Sequence, residues 1–151
     1  QEIWRLLDTH PDKDVFTSLP GAGKRLTPEL LGLFGDNRDR FQTYQEVQQY
    51  AGSAPVTVRS GKYVSVRFRY ACNKRFRTTL QQFAFASLKE CVWARSYYQQ
   101  LKARGKTHQH ALRCVANKWV KIIFTMWKTR TPYDEQKHLA HMTKQRLLAQ
   151  T

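Results

Sequence analysis

Between Lys74 and Arg130 apolar and small side chains return at every third or fourth position. Phe76, Leu80, Phe83, Ala84, Ser87, Leu88, Cys91, Val92 and Ala94 mark a first run, and Ala111, Leu112, Val115, Trp119, Ile122, Ile123 and Met126 a second. That period belongs to helices that bury one face. Two such helices constrain the fold more than any other feature of the chain. The first is expected over Lys74 to Arg104, closed by Arg104-Gly105-Lys106; the second is capped by Thr107 and stopped by Thr131-Pro132.

The flanking sequence offers shorter elements. Gln1 to Asp8 reads as the tail of a helix with Ile3, Trp4 and Leu7 on one side, so the chain opens within an element. His10-Pro11 breaks it, and Asp12 can cap the next short helix. Pro20-Gly21-Ala22-Gly23 is a tight turn before a helix from about Lys24 to Phe34, with Leu26, Leu30, Leu31 and Leu33 or Phe34 facing inward and Gly35 ending it. Pro28 is tolerable there if it falls in the first turn. Phe41 to Tyr50 predicts another helix, with Thr43 and Glu46 as a capping box. Val56, Val58, Val64, Val66 and Phe68 alternate with polar residues around Ser60-Gly61-Lys62, the pattern of a β-hairpin. Tyr133 to Ala149 predicts a last, more polar helix. The expected fold is mainly α: a helix-hairpin-helix-like N-terminal part, one small β-hairpin, then long packed helices.

A chain of 151 residues, 41% hydrophobic, can bury one core. Its charge of +15 is unevenly placed: from Val47 to Tyr133 the only acid is Glu90. Such a surface calls for a polyanion, nucleic acid first. No apolar run is long enough to span a bilayer and no signal-peptide segment opens the chain, so a cytoplasmic protein with no membrane partner is expected. Cys72, Cys91 and Cys114 are too widely spaced for a zinc site or a disulfide framework.

Three local patterns could carry chemistry. "LPGAGKRLTPELL" resembles a helix-hairpin-helix, whose turn glycines Gly21 and Gly23, with Lys24, would leave backbone N–H groups open to a phosphate. It is not a Walker loop, because Lys24 is followed by Arg25 and not by Ser or Thr. Arg59, Lys62, Arg67, Arg69, Lys74, Arg75 and Arg77 are interleaved with Tyr63, Phe68, Tyr70 and Phe76, which suits phosphate gripping with stacking on bases or sugars. Ser60, beside glycine in a turn, is by its residues alone a turn serine; a nucleophile needs a base to take its proton, and no His–Asp pair is recognisable nearby. Neither His108/His110, Asp134/His138/His141 nor Asp36/Asp39 makes a convincing metal set, so no metal is assigned to this domain.

In order along the chain stand "LPGAGKRLTPELLGLFGD", Arg40-Phe41, "YAGSAP" (50–55), "RSGK" (59–62), "NKRFR" (73–77), "YYQQLKARGKTHQHAL" (97–112) and "TPYD" (131–134). This ordered set resembles the C-terminal transposase domain of the insertion-sequence "one-ten" family, DEDD transposases described as bridge-RNA-guided recombinases. The resemblance implies that residues 1–10 end a linker helix, 11–135 form the transposase domain and 136–151 are a C-terminal helix or tail. It implies that Ser60 attacks DNA to give a 5′-phosphoserine intermediate. Its partners would be a RuvC-like domain of the same protein, which would hold magnesium, together with DNA, a guide RNA and further copies of the full-length chain. It places the protein in a bacterial or archaeal cytoplasm, at the nucleoid. Arg67 to Asn73 departs from the family's usual R-I-S-K-x-G-N pattern, keeping Asn73. Without the RuvC-like half, the chain is expected to bind nucleic acid and not to cut it; the alternative is a non-catalytic helix-hairpin-helix binding module.

Overall fold

The computed structural model describes residues 2–53, 55–60, 63–68 and 73–140; for 2–5, 55–60 and 63–68 it describes the backbone. The chain is mainly helical, in the order α1 (Glu2–Thr9), α2 (Lys13–Thr17), α3 (Gly23–Phe34), α4 (Tyr44–Ala51), β1 (Pro55–Ser60), β2 (Tyr63–Phe68), α5 (Lys74–Glu90), α6 (Val92–Ala103) and α7 (His108–Thr129). Residues 135–140 are helical again. The rest of the predicted last helix, 141–149, lies outside the described residues.

Helix α7 is the spine. Its Val115, Trp119, Val120, Ile123 and Trp127 are wholly buried, and α4, α5 and α6 all pack on it. The core is aromatic: Phe34 meets Phe16, Phe76 and Trp127, and Phe83 meets Trp119 edge-on at 4.9 Å between ring centres. Burying indoles requires partners for their N–H groups. Trp93 donates to Tyr133 Oη (3.0 Å), Trp119 to Ser87 Oγ (2.9 Å) and Trp127 to the Gly35 carbonyl (2.9 Å).

The single helix expected over Lys74–Arg104 is two. Cys91 is extended (φ −123°, ψ 112°), ending α5 and starting α6. No proline or glycine causes the break. A continuous helix would keep the phase of Ser87, Cys91 and Ala94 inward, leaving Trp93 out of register with the core. The break turns Trp93 inward, where it packs on Trp119 and bonds Tyr133. Val92, assigned inward by periodicity, is exposed. Pro28 also falls one turn deeper than expected, inside α3. It cannot donate to the Lys24 carbonyl, which lies on an exposed residue.

The capping residues follow their expected logic. Thr43 Oγ accepts from Glu46 N–H (3.3 Å), while the Glu46 carboxylate accepts from Gln42 N–H (2.9 Å), one residue further back than the usual reciprocal bond. Thr107 Oγ accepts from His110 N–H (3.1 Å) at the start of α7. Gly52, with φ +73°, closes α4 in the left-handed conformation, and its N–H and that of Ser53 return to the Gln48 and Gln49 carbonyls.

Candidate nucleic-acid interface and the root of the serine strand

Strands β1 and β2 pair antiparallel, with Val56 opposite Arg67, Val58 opposite Ser65, Arg59 opposite Val64 and Ser60 opposite Tyr63. Each β1 valine therefore sits across from a polar residue of β2, and β2's Val64 and Val66 across from Arg59 and Thr57. Alternation along each strand does not become a uniformly apolar face, because the register sets the two alternations out of phase. Ser60 is the last residue of β1. Arg59 and Arg67 also lie on the strands, whereas Lys62 and Arg69 lie outside the described residues.

The two ends of this segment are held together. At its exit, Asn73 N–H donates to the Tyr50 carbonyl (2.8 Å) and Asn73 Nδ2 to Tyr50 Oη (3.0 Å). The same side chain caps α5 by accepting from Phe76 N–H (2.9 Å). At its entrance, buried Ser53 donates through Oγ to Asn117 Oδ1 on α7 (3.1 Å), and Gln48 Nε2 donates to the Asn117 carbonyl (3.2 Å). Arg40 lies over both Phe41 and Tyr50, 4.9 and 5.1 Å from the ring centres, and donates to the Leu33 carbonyl (2.6 Å). Several motifs noted in the sequence thus meet in space: Arg40-Phe41, "YAGSAP" and the Asn of "NKRFR" make one clamp around the ends of the strand pair.

Lys74, Arg75 and Arg77 occupy the first turn of α5, which contains no acid. Cations there oppose the positive end of the helix dipole, by about 0.3–1 kcal/mol each when exposed. Lys74 and Arg75 are exposed and Arg77 is half-buried. A phosphate beside that turn would be favoured by the side chains and by the helix end together.

The two turn glycines differ. Gly21 has φ +87°, and a Cβ there would lie 2.8 Å from the Ala86 carbonyl oxygen of α5; the close approach it permits is to the protein's own backbone. Gly23 has φ +63° and faces open space. Ala22 supplies no side-chain cap to α3, and exposed Lys24 lies in its first turn beside Arg25, which donates to Gln82 (3.0 Å).

Among the described residues one trio could offer metal-ligand atoms: His10, Asp12 and Asp36. Their partners are already assigned. Asp12 is ion-paired to Arg38, and His10 accepts through Nδ1 from Asp12 N–H (3.0 Å) and bonds Asp36 through Nε2 (2.6 Å). With one carboxylate held by a guanidinium and the imidazole engaged at both nitrogens, the trio is a structural network and does not fit the magnesium ions expected of the RuvC-like half. No helix among the described residues is long and apolar enough to cross a membrane.

Sequence reasoning gave no functional weight to Gln48 and Asn117, and Ser53 entered only as part of "YAGSAP". A polar residue in mid-helix, as Asn117 is, was the available signal.

The chain is similar to known proteins over most of its length. The chain is 35% identical over 138 residues to the IS110 insertion-element protein of 43.6 kDa from Streptomyces coelicolor, covering 89% of this chain and 33% of that protein. It is 33% identical over 131 residues to a mini-circle protein of IS117 from the same organism, covering 87% of this chain and 32% of that one. With a pilin gene-inverting protein of Moraxella lacunata it shares 27% identity over 146 residues, 91% of this chain and 44% of that protein. The chain therefore spans about a third to somewhat under half of these relatives. The family model described as "Transposase IS116/IS110/IS902 family" matches residues 13–99, which take in Arg40, Phe41, Tyr50, Ser53 and Asn73 of the clamp, both strands and the whole of α5. The chain belongs to that transposase family.

Proposed function

We propose that this chain is the DNA-binding and nucleophile-bearing domain of an insertion-sequence transposase. Ser60 would be the residue that attacks DNA. The observation that carries the reading is the clamp: the segment holding Ser60 is pinned at both ends to the helical body, by Tyr50 and Asn73 at its exit and by Ser53 on Asn117 at its entrance, and of these only Asn117 lies outside the residues that the family model matches. Holding a nucleophile in attack geometry can supply about 7–11 kcal/mol of the barrier.

In the proposed step the Ser60 hydroxyl loses its proton, its oxygen bonds to phosphorus, and the bond from phosphorus to the 3′ oxygen breaks. The 3′ oxygen leaves with a proton and the 5′ phosphate stays on the serine. A base for the proton and magnesium would come from the RuvC-like domain of the full-length protein. Lys74, Arg75 and Arg77 would hold the DNA backbone, joined by Arg59, Lys62, Arg67 and Arg69. Helices α2 and α3 with the turn between them would act as a helix-hairpin-helix, placing Gly23, Lys24 and the uncapped end of α3 at a second phosphate. A guide RNA and further copies of the full-length protein complete the proposed assembly, in the cytoplasm at the nucleoid.

Support also comes from the charge of +15 and from the name of the pilin gene-inverting relative, which denotes DNA rearrangement. The test is Ser60→Ala in the full-length protein. A covalent protein–DNA adduct, trapped by denaturation and seen as a shifted band, is expected from the wild type and not from the variant. An adduct retained by Ser60→Ala would remove the serine from the mechanism and leave a nucleic-acid-binding module.

A further inference from the structure

A groove of about 660 Å³ runs between α4, α7 and the segment that follows α7. Its walls include Tyr44, Gln48, Asn117, Lys118, Lys121 and Lys137. We infer that this groove holds one unpaired nucleotide of a nucleic-acid strand, with the base on the Gln48–Asn117 amides and Tyr44, and the phosphate on the lysines. The inference rests on the nucleic-acid reading above and goes further by naming a site and the form of the ligand.

Three observations point to that ligand. First, three lysines line the groove against one acid, Asp134. That acid is occupied, since its Oδ1 accepts from Gln136 and Lys137 N–H (3.1 and 3.2 Å) and so caps the helix over 135–140. The remaining charge suits an anion.

Second, the amide pair is half used. Gln48 Nε2 donates to the Asn117 carbonyl, and Asn117 Oδ1 accepts from Ser53. Gln48 Oε1 and Asn117 Nδ2 have no hydrogen bond among the described residues, and neither is among the buried side-chain atoms left unsatisfied; they therefore meet solvent. An acceptor together with a donor is what the edge of a nucleobase matches, and a phosphodiester, which has no O–H or N–H, cannot use the acceptor.

Third, Lys121 Nζ lies over one face of the Tyr44 ring, 5.3 Å from its centre, so a base stacking on that face takes the lysine's place and the flexible lysine stem carries the ammonium to the phosphate. Stacking on such a ring is worth about 1–3 kcal/mol per base. The volume is at the scale of small-ligand pockets, which run from about 300 to 1,000 Å³. Because Gln48 and Asn117 also pin the entrance to β1, a nucleotide seated here would touch the side chains that anchor the serine strand.

The test uses the 151-residue chain and three probes: a single-stranded tetranucleotide, the same tetranucleotide with abasic sites, and inorganic phosphate. Affinity is read by fluorescence anisotropy for the two oligonucleotides and by NMR shifts for phosphate. The intact tetranucleotide is expected to bind at least about fivefold more tightly than the abasic one. Tyr44→Ala should abolish that difference and Lys121→Ala should weaken both oligonucleotides, with circular dichroism confirming the fold of each variant. Equal binding of intact and abasic strands, or unchanged binding in both variants, overturns the inference. In that case steeply salt-dependent binding of duplex DNA by the wild type would leave the parent reading standing, whereas no nucleic-acid binding at all would overturn both.

Discussion

Replacing Gly21 by alanine should destabilise the chain far more than the same change two residues on, at Gly23. Both residues have positive φ, +87° and +63°, so an alanine at either position meets the left-handed penalty of roughly 1–2 kcal/mol. Only at position 21 does the new methyl collide. It would lie 2.8 Å from Ala86 O, 3.0 Å from Ala86 C and 3.2 Å from Ser87 N, all backbone atoms of α5 that cannot swing aside. Relief requires the turn to lift from α5, at the scale of overpacking, about 1–3 kcal/mol. The sum for Gly21→Ala is about 2–5 kcal/mol, against about 1–2 for Gly23→Ala. For a chain of this size each kcal/mol moves Tm by roughly 2–4 °C, so the two variants should differ by about 2–12 °C in a thermal melt followed by circular dichroism. Equal Tm values would refute the close approach of the turn to α5. If Gly23 holds a phosphate, Gly23→Ala should also lower DNA affinity while the fold is retained.

Two further outcomes follow from the clamp and the core. Asn73→Ala removes both the α5 cap and the bond to Tyr50 Oη, and should cost about 1–2 kcal/mol by chemical denaturation, with Asn73→Asp recovering much of the capping share. Cys91 is wholly buried, and burial above all pushes its thiol up to about 11, with the Glu135 carboxylate adding to the rise while the Ala94 backbone and the Tyr133 hydroxyl offset part of it. The native thiol therefore keeps its proton where the unfolded one, near 9, has lost it. Stability from this group is whole below pH 9 and declines as pH rises to 11, by up to about 2–3 kcal/mol. Melts of the wild type should fall more steeply over that window than those of Cys91→Ala, and parallel slopes would contradict the buried thiol.

Local signals in the sequence located most of the helices. The Thr43 and Thr107 caps and the glycines ending α3 and α4 act within a few residues, and each sits where its residue type dictates. The break at Cys91 was not legible, because its cause is tertiary: Trp93 finds Tyr133 and Trp119, 40 and 26 positions away in sequence. The clamp was hidden for the same reason. Asn117 meets Ser53 across 64 positions, and no periodicity marks a polar residue as an anchor rather than an exposed one. Charge pointed to nucleic acid, whereas the nucleophile role expected of Ser60 came only from the resemblance carried by the ordered motifs, and its own residue type and turn position did not suggest it.

The clamp between Tyr50 and Asn73 has a consequence for how the segment between them can vary. Bringing two chain ends together costs entropy that grows only with the logarithm of the intervening length, about 0.6 kcal/mol per doubling. Here the ends are already joined by hydrogen bonds that belong to α4, α5 and α7, so that closure is met by the helical body. The stretch after Ser53 and before Asn73 can be lengthened, shortened or exchanged at little thermodynamic penalty, much as a replaceable tip is fitted to a fixed holder.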